Sequence, residues 1–224
     1  VLKLSAHLRK IAYDVGVVDK HLALCIVHGS DAYDITAYNY DVVKSSIEKF
    51  EKEKLQNPDC IDDFFVSLKS SVLGTITMEP ATSGCGSNYE ISSSAAIGGN
   101  GPLLYDVALS IAKNEGVGVI PDRDGVSGKA QGVWDFYKYR RNDIITHPLS
   151  GKCPESKSSL RNDVGDDILE YEYYIKSPIK YEEAVSRHTS LVTMVKKAGI
   201  PADSYINTLS IQSAVFFRTK YRST

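Results

Sequence analysis

Residues 89–120 hold the pattern that narrows the fold most. Tyr89–Ala96 reads as a strand, and a glycine-rich turn, Ile97-Gly-Gly-Asn-Gly-Pro102, follows it. Leu103–Asn114 then places Leu103, Leu104, Val107, Ala108, Ile111 and Ala112 on one helical face. Gly116 ends that helix, because only glycine enters the left-handed cap cheaply. Val117–Ile120 is a short apolar run that reads as a buried strand. Strand, helix and strand in succession make a crossover, which places two parallel strands in one sheet.

The flanking segments add to that sheet. His21–Val27 and Ala32–Tyr40 read as a hairpin across His28-Gly29-Ser30-Asp31. Helices are expected at residues 2–15, Val42–Leu55 and Asp62–Ser70, and a strand at Val72–Glu79. Ser127 is placed to cap a helix that runs to about Arg140. Asp143–Leu149 and Ile168–Ile175 are strand candidates on either side of a polar loop at Ser150–Gly165. Tyr181–Ala198 and Ala202–Tyr221 read as a helical hairpin joined by Gly199-Ile200-Pro201. The expected fold is therefore α/β, with a mixed, mostly antiparallel sheet flanked by helices. Residues 1–176 make the main domain, and residues 177–224 form a C-terminal helical hairpin packed on it or on a partner.

Several functions are disfavoured by composition. A net charge of −2 over 224 residues argues against coating nucleic acid through bulk charge. The four cysteines form no C-x-x-C pair, and the five histidines form no ligand pattern, so no metal is expected. Scattered cysteines suit a reducing compartment, although four also suffice for two disulfides. No apolar run approaches the ~18–20 residues that cross a bilayer. A cytoplasmic protein without membrane contact is the resulting expectation.

Chemistry concentrates at the glycine-rich turn. Consecutive glycines let backbone N–H groups converge, and the following helix adds unpaired donors and a partial positive charge. Such a site suits a diphosphate. Pro102 fits the first helical turn, where its missing N–H costs nothing. The P-loop is excluded, since Gly101 is followed by Pro-Leu rather than Lys-Ser/Thr. A dinucleotide fingerprint fails because Leu104 stands at the third glycine.

This stretch resembles the GNAT acyltransferase family, in which a splayed fourth strand leads to a Q/R-x-x-G-x-G/A loop, a helix, a fifth strand and a helix with an N-x-x-A pattern. Ala96-Ile-Gly-Gly99-Asn-Gly101 aligns with the loop, Val117–Ile120 with the fifth strand, and Ser127-x-x-Ala130 with the next helix. The runs Gly-Pro-Leu-Leu-Tyr-Asp and Pro-Asp-Arg are also similar to GNAT-like proteins of tailed bacteriophages; if a phage encodes the chain, the host cytoplasm or the virion is its expected place. The resemblance implies that acetyl-CoA or another acyl-CoA is the cofactor. Its binding residues would be Ser94, Ala95, Ala96, Gly98, Gly99, Asn100, Gly101, Pro102 and Leu103. Three positions depart from the family: Ala96 replaces Gln or Arg, Ser127 replaces Asn, and Trp134 stands where many members carry an acidic Tyr.

Amine acylation needs a proton acceptor and a proton donor. Glu90, or Glu79 on the strand before it, is the candidate base, and Tyr137, one turn after Trp134, is the candidate acid. Ser92, Ser93 and Ser94 are candidates to bond the acyl carbonyl or to be ordinary polar sheet residues. Asp106 either complements the helix dipole or serves the site, and His28 ends a strand. Asp122 and Arg123 either close the site or pair with each other in a turn. Three functions follow: an acyl-CoA-dependent N-acyltransferase with an unknown amine acceptor, a catalytically silent phage structural or host-interaction protein of the same fold, and an enzyme modifying DNA bases. The basic tail makes nucleic acid a minority partner, and the C-terminal helices suit a homodimer.

Overall fold

The computed structural model describes residues 19–29, 31–57, 60–156 and 168–201. The helices expected at residues 2–15 and 202–221, and the latter part of the polar loop before Ile168, lie outside the described residues.

Among the described residues seven strands form one sheet: β1 (Leu22–His28), β2 (Tyr33–Asn39), β3 (Val72–Pro80), β4 (Tyr89–Ala96), β5 (Val119–Pro121), β6 (Ile144–Pro148) and β7 (Tyr171–Ile175). Their order across the sheet is β1-β2-β3-β4-β5-β7-β6. Every neighbouring pair is antiparallel except β4 and β5. Among the described residues five helices surround it: α1 (Tyr40–Glu53), α2 (Cys60–Ser71), α3 (Gly101–Asn114), α4 (Gly128–Arg140) and α5 (Glu182–Ala198). The mixed, mostly antiparallel α/β sheet expected from the sequence is what forms.

Local signals explain the element ends. Asn39 Oδ1 accepts the Val42 N–H at 3.1 Å and starts α1. Ser127 Oγ accepts the Ala130 N–H at 3.3 Å and starts α4. At the end of α3, Val117 N–H donates to Ala112 O and Gly116 N–H to Lys113 O, both at 3.0 Å, with Gly116 at φ 77°. That is the double closure of a glycine-capped helix.

Strand alternation divides the core in two. Leu24, Ile35, Ile76 and Met78 pack with α3, Trp134 and Tyr137. Ala23, Cys25 and Tyr38 point the other way, onto Val43, Ile47, Phe64, Leu68, Leu191 and Val195. Helix α5 therefore packs in the same core as α1, α2 and the first two strands. Helix α3 differs from its one-faced sequence pattern, since every residue from Leu104 to Ala112 is buried. Ser110 shows why this is tolerated: its hydroxyl donates to Asp106 O at 2.7 Å and accepts the Ile179 N–H at 3.0 Å.

Cys85 and Cys153 are joined by a disulfide, while Cys25 and Cys60 are free and buried. Disulfides persist under oxidising conditions, so cysteine usage no longer supports a reducing compartment. No helix among the described residues is long and apolar enough to cross a membrane.

Candidate functional site: a gap beside strand β4

The parallel pair β4–β5 is short. Only Tyr89, Glu90 and Ile91 pair with Val119, Ile120 and Pro121. Strand β4 continues through Ser92–Ala96 without β5 beside it, for roughly 16 Å at ~3.3 Å per residue. On its other side β4 stays paired to β3, with a register break: Thr77 faces Ser93 and Met78 faces Ile91, leaving Ser92 as the extra residue. Such a bulge bends its strand and sharpens the twist. A strand edge without a ladder partner thus lies at the carboxyl end of the sheet's parallel pair, the end at which parallel α/β sheets place ligands.

The glycine turn sits at the end of that edge. Gly98 and Gly99 adopt φ of 60° and 80°, which L side chains enter only at a cost. Asn100 closes the turn: its N–H donates to Ile97 O at 3.2 Å and its Nδ2 to the same oxygen at 2.7 Å. With that side chain engaged, it makes no cap bond to α3. The N–H groups of Gly98, Gly99, Gly101 and Leu103 meet no acceptor among the described residues. Gly101 has ordinary helical geometry, and a Cβ built on it would meet only the Ala96 Cβ, at 3.9 Å. The turn requires glycine at 98 and 99; packing does not require it at 101.

The other expected cofactor residues lie along the same edge. Ala95 and Ala96 are half-buried, and Ala96 lies opposite Gly74, where a Cβ on Gly74 would come within 2.8 Å. Ser94 is exposed, and its Oγ lies 2.9 Å from the Tyr105 hydroxyl on α3. Burial pushes the Tyr105 phenol up to about 12. Pro102 and Leu103 form the half-buried first turn of α3.

The two expected catalytic groups are held in structural networks. Glu90 is 8% exposed; its Oε1 accepts the Arg123 N–H at 2.5 Å, and its Oε2 accepts the Thr82 N–H and hydroxyl at 3.3 and 3.1 Å. A carboxylate engaged by three donors is a brace between the β3–β4 turn and the end of β5. Tyr137 is 0% exposed, with its hydroxyl 2.6 Å from Asp106 Oδ1 and 2.8 Å from Pro102 O. Arg141 Nη1 lies 3.0 and 3.3 Å from the two Asp106 oxygens, and Arg141 also holds Asp143 at 2.5–2.6 Å. Burial pushes Asp106 up to about 6, against the pull of Arg141 and Tyr137. Asp106 and Tyr137 therefore support the first turns of α3 from inside.

The remaining candidates fall outside this network or reshape it. Trp134 is core, edge-on to Tyr105 with ring centres 5.1 Å apart. Glu79 is exposed opposite Glu90, and His28 stacks on Tyr33 at 4.1 Å. Asp122 and Arg123 do not pair with each other. Asp122 Oδ1 accepts the Asp124 N–H at 2.7 Å, and burial raises its carboxyl. Arg123, 4% exposed, donates to Pro121 O at 3.1 Å, Pro154 O at 3.3 Å, Glu170 Oε2 at 3.2 Å, and Leu169 O. Sequence reading missed Arg123 and Arg141 as buried organisers. In the chain, Arg123 is only a charge in a polar turn, and apart from Pro121 the acceptors of its side chain come from distant segments.

No protein-family model, curated protein or solved structure matches this chain.

Proposed function

We propose that the chain binds an acyl-CoA at the β4 edge and the α3 N-terminus, and transfers the acyl group to an amine in the manner of the GNAT family. The supporting observation is the juxtaposition of an unpaired strand edge with a cluster of unaccepted amides. The residues fit the cofactor in two respects. The amides of Gly98, Gly99, Gly101 and Leu103 match a diphosphate, and the bare Gly101 leaves room that a side chain would fill. A pantetheine arm carries amide groups that pair with a free strand edge as another strand would. Bound acyl-CoA supplies an activated acyl group as a thioester. The Ser94–Tyr105 hydroxyl pair is the chain's proton donor at this edge, since Tyr105 stays protonated at neutral pH.

Binding without transfer is the second reading. It is favoured by the enclosure of Trp134 and Tyr137 and by the structural engagement of Glu90. Calorimetric titration with acetyl-CoA of the wild type and a Gly101→Val variant tests both. Binding by the wild type and its loss by more than about tenfold in a folded variant are expected, because a branched side chain would stand over the amides. Equal binding by the two proteins refutes the placement, and no binding by folded wild type refutes the function. Thioester loss on adding amines separates transfer from binding alone.

A further inference from the structure

We infer that residues 149–156 form a redox-fastened strap across the end of β5. The Cys85–Cys153 disulfide fastens it, and reduction by a dithiol frees the strap and the Asp122–Arg123 turn while the sheet stays folded. This inference does not depend on the acyl-CoA reading.

The strap is anchored at two levels. On its outer side it meets the β3–β4 turn. Ser150 Oγ donates to Gly84 O at 3.0 Å, and Cys153 N–H donates to Ser150 O at 2.9 Å. Gly84, at φ 99°, lies so close that a Cβ would come within 2.3 Å of Lys152 O. The apolar support is small: Cys85, Ile120 and Cys153, with Ala81 and Leu149 beside them, apart from both main core clusters. On its inner side the strap holds the turn after β5. Arg123 Nη1 donates to Pro154 O at 3.3 Å, Ser156 Oγ to Asp122 O at 2.7 Å, and Ser156 N–H to Glu170 Oε1 at 3.1 Å.

These contacts differ in kind. The outer level depends on one covalent bond and a small cluster, and the inner level on a few polar contacts made by the buried Arg123 and Ser156, with no apolar cluster of its own. Segments held by few apolar contacts open locally at low free energy. Cutting the bond therefore releases the strap first, and with it the carbonyl of Asp122 and one tether of Arg123. Those two residues directly follow the last β4–β5 pair, Ile91 with Pro121, so the redox state reaches the point where β4 loses its parallel partner. In the reaction a dithiol gives two electrons and two protons. The S–S bond becomes two thiols, and the reductant closes to its own disulfide. Both cysteines are buried, so transient opening of the strap precedes attack.

Hydrogen exchange on the whole chain, oxidised and after dithiothreitol, tests this, with native alkylation counting thiols. Two newly labelled cysteines are expected, with Cys25 and Cys60 protected. Amides of Arg123, Asp124, Cys153 and Ser156 should exchange more than about tenfold faster, because the cross-link no longer restrains local opening. Amides of β1–β3 and α3 should be unchanged. A Cys85→Ala/Cys153→Ala variant should match the reduced wild type and ignore the reductant. Unchanged exchange, acceleration spread over the whole sheet, failure of the double variant to fold, or four free thiols in air-oxidised protein would each overturn the inference.

Discussion

His188 on α5 predicts a pH dependence of stability that one substitution can isolate. Its ring meets the Tyr38 hydroxyl across the α5–β2 packing, and burial pushes it down from 6.5 to about 4. In the unfolded chain it returns to about 6.5. Above pH 6.5 the ring is neutral in both states and the full stability is present. As the pH falls from 6.5 to 4 the unfolded chain takes up a proton that the folded chain refuses, so stability is lost. At 1.36 kcal/mol per pH unit the loss approaches about 3 kcal/mol at pH 4. Asp106 acts in the opposite sense. Its carboxyl is pushed up from 3.8 to about 6, so the folded chain gains a proton first and stability rises as pH falls through that window. The wild-type profile mixes both effects, and a His188→Gln variant separates them. Glutamine keeps an acceptor for Tyr38 and does not titrate. Urea unfolding of both proteins at pH 7, 5.5 and 4 should show the wild-type advantage shrinking by about 3 kcal/mol on acidification. Parallel profiles would refute the account, because they would mean that His188 titrates alike folded and unfolded.

Two further outcomes separate structural from functional residues. Glu90→Ala leaves the N–H groups of Arg123 and Thr82 without an acceptor and should cost about 2–4 kcal/mol in denaturant unfolding. Glu79→Ala, at an exposed position, should cost under about 0.5 kcal/mol, and equal costs would remove Glu90 from its bracing role. In the glycine turn, Gly98→Ala should cost about 1–2 kcal/mol, because φ 60° is left-handed. Gly101→Ala should be neutral or stabilising by about 0.5 kcal/mol, and the reverse order would refute the assignment of which glycine the turn needs.

Local signals in the sequence translated well into elements. Tyr89–Ala96 became a strand at those bounds, Ser127 and Gly116 capped as expected, and the β1–β2 hairpin formed. These features depend on neighbours within a few residues. What the sequence hid depends on distant contacts. The one-faced pattern of α3 could not announce that Ile179 would reach Ser110. The run Ser92-Ser93-Ser94 gives no polarity contrast, so the bulge at Ser92 left no trace in the alternation. For Glu90 and Tyr137 the sequence shows the chemistry of the side chain before its surroundings. Donors from Thr82 and Arg123 engage the first, and Asp106 and Pro102 enclose the second.

The Cys85–Cys153 bond also changes the chain's connectivity. It closes a covalent ring across a sequence separation of 68. Strand β4, the glycine turn, α3, β5, α4 and β6 all lie on that ring. Strand β7 comes from outside it, yet inserts between β5 and β6. A protease cutting at the exposed Asp124 or Gly125 would open the ring without releasing a fragment. On a gel the nicked chain would run as one piece until a reductant was added, and then as two.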